Sequence, residues 1–293
     1  MDARATLGSL AVGGAAPVRI MAAVNVSPES FYKGSVSTEP GEIKGRISTA
    51  IAEGADLIDI GGASTAPYLH TAVSEEKERS RVVAALKAAE AEDAEVEFSV
   101  DTVRASVAEA ALKGGASVVN DVSGLKHDPK MAGTIKGYGA SVLAMAHSRD
   151  ASRLRPIPRV RAALKGTMEI ARKAGIDERK VVLDPGIGFF RKEAASDTAS
   201  HQAVMPWFTW DCEVLANLAD LRRLGRPLGV GLSRKSFIGE LLGLKDPADR
   251  LSGSLALTAV AVMNGASLVR THDVAETLRA ARVAEAVKKR GRP

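Results

Sequence analysis

KVVLDPGIG (180–188) is a short apolar run that ends at a carboxylate and a Pro-Gly turn before a helix-like segment begins. Seven other runs share this build: VRIMAAVNVS (18–27), DLIDIGG (56–62), VEFSVDT (96–102), SVVNDVSG (117–124), SVLAMAH (141–147), PLGVGLSRKS (227–236) and SLVRTHD (267–273). A strand followed by a helix, eight times over, is the pattern of a closed parallel barrel with its helices outside, the (βα)8 TIM barrel of the α/β class. In such barrels the loops after the strands' C-terminal ends meet on one face and build the active site. Here those ends carry Asn25, Asp59, Asp101, Asn120, Asp121, His147, Asp184, Ser233, Lys235, Arg270 and His272. Any one of them reads as a helix cap or turn residue. A whole ring of caps is a poor account of all of them.

The chain's 293 residues fit one such barrel, for which about 250 residues is typical. We expect a single-domain barrel over 18–287, an N-terminal extension at 1–17, and a frayed basic tail, KKRGRP, at 288–293. Apolar residues make up 45% and charged residues 26%, the balance of an ordinary globular protein. Lys and Arg outnumber Asp and Glu by 40 to 35, a net charge of +5, which exerts a modest pull on anionic small substrates. Six tail residues without interleaved aromatics do not make a nucleic-acid surface. Cys212 is the one cysteine, so an intramolecular disulfide is excluded and a reduced, cytoplasmic setting is expected. No apolar stretch reaches the roughly 18 residues that a membrane span needs. The start, MDARATLGSLAVGGAAP, lacks the apolar core of a signal peptide.

Helical patterns rich in Ala, Leu, Lys, Glu and Arg fill the gaps. EIKGRISTAIAEGA (42–55) closes on Gly54, SEEKERSRVVAALKAAEAE (74–92) opens with a capping Ser and an acidic first turn, and ASVAEAALKGGA (105–116) closes on glycines. Segments 159–175 and 274–289 repeat the pattern. The exception to the even spacing is 191–221, longer than a loop plus one helix requires. It holds both tryptophans and Cys212 in MPWFTWDC (205–212). That cluster reads either as a hydrophobic plug over the barrel rim or as a lid or oligomer contact.

The chemistry concentrates on seven of the strand ends. Asp184 stands before a Pro-Gly turn, where its carboxylate suits the N–C–N edge of an amino-bearing heterocycle, much as it would pair with a guanidinium. Asp101 and Asn120 are placed to grip other edges of the same ring. Without the histidine cluster that a catalytic zinc needs, this set reads as heterocycle recognition. Ser233-Arg234-Lys235-Ser236 and Arg270-Thr271-His272-Asp273 end the last two runs, the region where barrels commonly hold phosphate. The first two runs end in Gly/Ser/Pro-bearing loops of the kind that order over a ligand. Asn25 in the first is a candidate Mg²⁺ ligand, since Mg²⁺ takes few protein ligands and keeps its waters.

The pieces NVSPESF, DIGGAST, SVDT, NDVSG, LDPGIGF, SRKSFIG and R-x-H-D occur in order between about Arg19 and Ala286. Together they make the chain resemble the dihydropteroate synthases of the pterin-binding barrel family. The resemblance implies condensation of 6-hydroxymethyl-7,8-dihydropterin diphosphate with 4-aminobenzoate, releasing pyrophosphate in folate biosynthesis, with Mg²⁺ and a homodimer. It assigns Asp101, Asn120, Asp184 and Lys235 to the pterin. Asn25, on Mg²⁺, goes with Arg270 and His272 to the diphosphate, and Thr65, Phe189, Ser233 and Arg234 line the aminobenzoate side. Asp101, Lys235, Arg270 and His272 form the implied catalytic set.

Two loops depart from the family pattern. The second usually reads GGESTRP, whereas this chain has Ala63 and, in place of the arginine, Ala66. The first usually reads PDSF and then a Ser-Asp-Gly run; this chain has Glu29 and places Lys33 where a carboxylate belongs. Both loops serve the aminobenzoate half of the reaction, so a larger arylamine, such as the ribosylated aminobenzene phosphate of methanopterin synthesis, is an alternative second substrate. A corrinoid-dependent pterin methyltransferase is a further alternative, against which the intact diphosphate clusters count. A non-catalytic pterin-binding paralogue is another, which the two altered loops favour.

Overall fold

Eight strands, β3 (Arg19–Asn25), β4 (Leu57–Gly61), β5 (Glu97–Asp101), β6 (Val118–Asp121), β7 (Ser141–Met145), β8 (Val181–Asp184), β9 (Leu228–Gly231) and β10 (Ala266–Thr271), close into a parallel barrel in chain order. Closure is made by β10 pairing with β3, Arg270 opposite Met21. Each of the eight apolar runs supplies one of these strands. The structure, a computed structural model, describes residues 3–29, 39–64, 73–89, 96–147, 155–190 and 206–291. Lys33, Thr65, Ala66 and residues 191–205 lie outside the described residues.

The alternation of a strand explains which side chains reach the barrel's interior. In β4 all five residues are buried. Ile58 and Ile60 pack outward with Ile47 of α1 (Pro40–Ala52) and Val82 of α2 (Glu75–Ala89). Leu57 faces inward, in a cluster with Met21, Val118, Leu143, Val182 and Leu268. Asp59 and Gly61 share its parity, so each step toward the C-terminal end takes the interior from apolar to polar. The remaining helices are α3 (Ala105–Lys113), α4 (Met131–Gly137), α5 (Pro156–Lys173), α6 (Trp207–Ala216), α7 (Ser236–Leu242), α8 (Leu251–Met263) and α9 (Val274–Arg290). Pro40 and Pro156 open their helices, where a missing N–H costs nothing.

The N-terminal extension has a structure that the sequence reading did not foresee. Strands β1 (Arg4–Leu7) and β2 (Leu10–Gly13) form an antiparallel hairpin, and Ala5, Leu7 and Val12 complete the inner apolar cluster. The hairpin therefore plugs the end of the barrel opposite the polar strand ends. Its two-residue loop begins with Gly8 at φ +61°, and a Cβ there would lie 2.0 Å from Glu97 Oε2. Ser9 N donates to Glu97 Oε1 at 2.6 Å, and Gly8 N donates to Ser141 Oγ at 3.1 Å. Burial works against the Glu97 charge, but hydroxyls of Ser117 and Ser9 outweigh it and its pKa is lowered.

The other terminus also differs from expectation. Helix α9 continues to Arg290, and Lys288 Nζ donates to Val262 O at 2.5 Å. The expected frayed tail is thus helical through Arg290, with its first lysine tied to α8. Among the described residues no helix is long and apolar enough to cross a membrane.

Candidate active site

Inside the polar end, Arg270 Nε donates to Asp59 Oδ2 at 2.6 Å and Nη2 to Asp101 Oδ2 at 3.1 Å. Asn120 Nδ2 donates to the same Asp59 oxygen at 2.9 Å, which leaves its amide oxygen as the acceptor on the other side. The register sets them on successive tiers: Arg270 lies beside Met21, Asp59 beside Ala23 and Ser99, and Asp101 beside Asn120 and Gly61. Two buried acids share one guanidinium. Burial, together with the negative charges of Asp59, Glu78 and Asp121, pushes Asp101 up to about 7 against the pull of Arg270.

Asp184 ends β8 and accepts from Gly186 N at 2.7 Å. Burial raises its pKa to about 6, with the Gly186 bond, Lys235 and Arg270 pulling the other way. Such an acid gains when a ligand brings N–H donors to it. Gly188 has φ +84°, and a Cβ there would meet Lys235 Cδ at 3.2 Å. Glycine is what lets the Lys235 stem lie across this turn. Lys235 Nζ sits 4.6 Å from the centre of the Phe189 ring, so the ammonium of one expected ligand faces the ring of another.

A second group runs along one line. Asn25 Nδ2 is 3.3 Å from His272 Nε2, and His272 Nδ1 is 3.0 Å from Ser233 Oγ. Ser233 Oγ in turn donates to Asp273 Oδ2 at 3.3 Å. Because that hydroxyl proton goes to Asp273, Ser233 accepts from His272 Nδ1–H, and Nε2 accepts from the Asn25 amide. Burial, then the charges of Arg270, Arg46, Arg234 and Lys235, hold His272 well below its ordinary pKa, so the ring is neutral. The chain of bonds turns Asn25 Oδ1 away from the histidine. That oxygen lies 3.4 Å from where a Gly61 Cβ would be. As an oxygen donor, Asn25 is the residue that could hold Mg²⁺.

Arg234 is engaged from several sides. Its Nε and Nη2 fork Asp273 at 3.0 and 2.7 Å, and Nη1 donates to the carbonyls of Pro247 and Ala248. The residue is buried with φ +53°, its N–H on Ser254 Oγ at 2.8 Å. It anchors Asp273 and thereby Ser233. With Arg270 doubly engaged and His272 neutral, the cluster is less cationic than its composition promised.

Of the other strand-end residues, Asp121 caps the following turn by accepting from Ser123 N and Leu125 N, and His147 O accepts from Lys126 Nζ. The aromatic segment resolves toward the plug reading over its described part. Trp210 stacks on Phe190 at 5.6 Å, Arg159 lies over both rings, and Asp211 accepts from Gly188 N at 2.8 Å. Helix α6 thus braces the turn that carries Asp184 and Phe189. The reading of the sequence left Asp59, Asp211 and Asp273 outside the site set. An acid at inward parity inside an otherwise apolar run was the signal for Asp59; the other two carried none.

A family model described as pterin binding enzyme matches residues 21–272. The chain belongs to this family. Its relatives within it include dihydropteroate synthase of Clostridium beijerinckii, 36% identical over 273 residues, 92% of this chain and 94% of the relative. The dihydropteroate synthase of Escherichia coli is 36% identical over 91% of this chain and 90% of its own. Among solved structures, Xanthomonas albilineans dihydropteroate synthase with 4-aminobenzoic acid has a TM-score of 0.84 at 34% identity, covering 100% of both chains. The same organism's enzyme in complex with 7,8-dihydropteroate has a TM-score of 0.79 at 32% identity, covering 99% of this chain and 100% of that one.

Proposed function

We propose that this barrel is a dihydropteroate synthase, a transferase that joins 6-hydroxymethyl-7,8-dihydropterin diphosphate to 4-aminobenzoate. The observation that carries the reading is the convergence at one barrel end of Asp184 and the Asp101–Asn120 pair with the Asn25–His272 pair and Lys235. Desolvated acids and an amide oxygen match the N–H donors of an aminopyrimidine edge, and the neighbouring groups match a diphosphate.

In the reaction the methylene–oxygen bond breaks with its electron pair leaving on pyrophosphate. The arylamine nitrogen forms the new bond to the methylene carbon and sheds one proton. An aniline nitrogen needs little activation, so positioning and charge stabilisation carry the rate. Asp184 and Asn120 orient the ring. Asp101 faces the positive charge that builds as the bond breaks, and Lys235 over Phe189 closes the ring's other side. Asn25 stands at the diphosphate, its amide oriented by His272, with Arg270 behind them. Asn25 would hold Mg²⁺, which would supply charge neutralisation for the leaving group.

A homodimer is supported by Leu241 and Leu242 on α7, Val260 and Met263 on α8, and Val283 and Val287 on α9, all of them large apolar side chains left exposed. Light scattering of wild type and Leu242→Glu tests this. A phosphate-bearing arylamine is a second reading, favoured by Lys33 and Ala66 in the sequence. The deciding experiment supplies Mg²⁺, the pterin diphosphate and either arylamine to purified protein and follows pyrophosphate release. Release that depends on 4-aminobenzoate supports the synthase; none with either arylamine overturns it.

A further inference from the structure

The roots of the first two mouth loops are tied together by a helix residue that none of the chemistry above uses. Arg81 of α2 sends Nη1 to Glu29 Oε2 at 3.1 Å and to Gly62 O at 3.1 Å, and Nη2 to Glu29 Oε1 at 3.3 Å. Glu29 lies four residues after Asn25 in the loop following β3, and Gly62 opens the loop following β4. One planar guanidinium therefore spans two separate loops, a geometry that the fork of Arg allows and the point charge of Lys does not.

Two further features support this arrangement. Gly62 packs so closely on α2 that a Cβ would meet Glu78 O at 2.8 Å and Val82 Cγ2 at 2.9 Å. Ser27, itself buried, donates Oγ to Glu29 Oε2 at 2.5 Å. Burial opposes the Glu29 charge, but bonds from Ser27 and Arg81 hold its pKa down at about 2, so the pair stays ionised at any working pH. Val26 N on Gly61 O at 3.0 Å adds a backbone tie at the same level. On the same helix, Glu78 accepts from Thr102 Oγ1 and from Arg104 Nη1, each at 2.6 Å. Residues three apart on α2 thus fasten the chain ends of three consecutive barrel strands.

We propose that Arg81 is a positioning residue that holds the roots of the first and second mouth loops in register, and so sets how well the arylamine and diphosphate are presented to each other. This rests on the synthase reading for its kinetic consequence, though not for its structural one. The ring-binding groups Asp101, Asn120, Asp184 and Lys235 receive no bond from Arg81, so ring affinity is a separate readout.

The test compares Arg81→Ala, Arg81→Lys and Glu29→Gln in the full chain. All three should fold, with unchanged far-UV spectra. Arg81→Ala should lower kcat/KM for the arylamine at least tenfold while affinity for the free pterin alcohol changes less than twofold. Glu29→Gln should fall in the same direction, and the double variant should be little worse than Arg81→Ala alone, because each change breaks the same bond. Arg81→Lys should recover only part of the loss. Equal loss of pterin and arylamine affinity would reduce Arg81 to general support of the fold and overturn the proposal, as would unchanged kinetics. Hydrogen exchange at residues 25–29 and 61–64 provides a readout without activity: Arg81→Ala should speed it in both segments together. Unchanged exchange defeats the tie even in an active enzyme. Faster exchange in a protein that turns over no pterin diphosphate keeps the tie and refutes only the synthase reading.

Discussion

Arg270 donates through Nε to Asp59 Oδ2 at 2.6 Å while its Nη2 reaches Asp101 at 3.1 Å, so one cation holds two buried carboxylates of neighbouring strands. Arg270→Ala leaves both acids uncompensated and should cost about 3–5 kcal/mol of stability near neutral pH. Without the cation the pKa of Asp101, already raised to about 7, rises further above its unfolded value, so the destabilisation is present above the unfolded value and fades as pH falls below the folded one. Urea denaturation near pH 8 and near pH 5 should show the gap to wild type closing at the acid end. A gap that stays constant argues against the shared-cation account.

Asp184 is the group on which ring recognition should depend most. Its pKa of about 6 means that affinity for the pterin rises as pH increases through that value, because the ionised form is the acceptor. Asp184→Asn should abolish measurable binding in calorimetry and with it this pH dependence. The ligand-free protein should respond in the opposite sense. A raised folded pKa means that the native state holds the extra proton, so stability contributed by this site falls as pH rises from about 4 to above 6. Asp184→Asn lacks that loss and should melt higher than ligand-free wild type at neutral pH, by about 1–2 kcal/mol. Wild-type-like affinity in the variant would refute the assignment.

His272 should be neutral and protonated on Nδ1. Nitrogen-15 NMR of the imidazole should show that single tautomer near neutral pH, with protonation displaced well below the ordinary histidine range. Asp273→Asn removes the charge that receives the Ser233 hydroxyl and pairs Arg234, so the tautomer should become mixed. A wild-type spectrum in that variant breaks the proposed chain of bonds.

Gly8→Ala tests the hairpin plug. The substitution combines a left-handed backbone with a clash against Glu97, and should destabilise by roughly 2–4 kcal/mol. Because the hairpin sits at the opposite end from the site, kcat/KM of the protein that remains folded should match wild type. Lost activity without lost stability would mean that the plug communicates with the mouth.

The loop substitutions test the second substrate. If Lys33 meets a phosphate on the arylamine, that arylamine should be preferred over 4-aminobenzoate by about tenfold or more, the value of one charge-assisted contact. Lys33→Ala should erase the preference, and Ala66→Arg should raise turnover of plain aminobenzoate. Equal turnover of both arylamines, indifferent to Lys33→Ala, leaves 4-aminobenzoate as the natural partner.

Most of the barrel was legible because its signal is local. Each of the eight apolar runs ends within a few residues of the strand it encodes, and α1, α2, α3, α5 and α9 follow the Ala/Leu/Lys/Glu patterns read for them. Helix α7 and the hairpin were not visible. SFIGELL is too short for a 3.6-residue period to stand out, and RATLGSLAVG is rich in small residues whose role is set by the barrel end they fill. Asn25, Asp101, Asn120, Asp184, Lys235, Arg270 and His272 were legible as a ring, since strand ends in a closed barrel must face one mouth.

The sequence by itself determined which residues could reach that mouth, because parity along a strand and the end of an apolar run are properties of neighbouring residues. Tertiary structure decided what each does there. Arg270 meets Asp59 across 211 residues of chain, and that pairing converts an expected free cation into the bond between two acids. Arg234 becomes an anchor for Asp273, His272 becomes neutral, and Arg81 reaches two loops from outside the ring. Charge and burial depend on partners brought from distant strands, and only closure of the barrel brings them together.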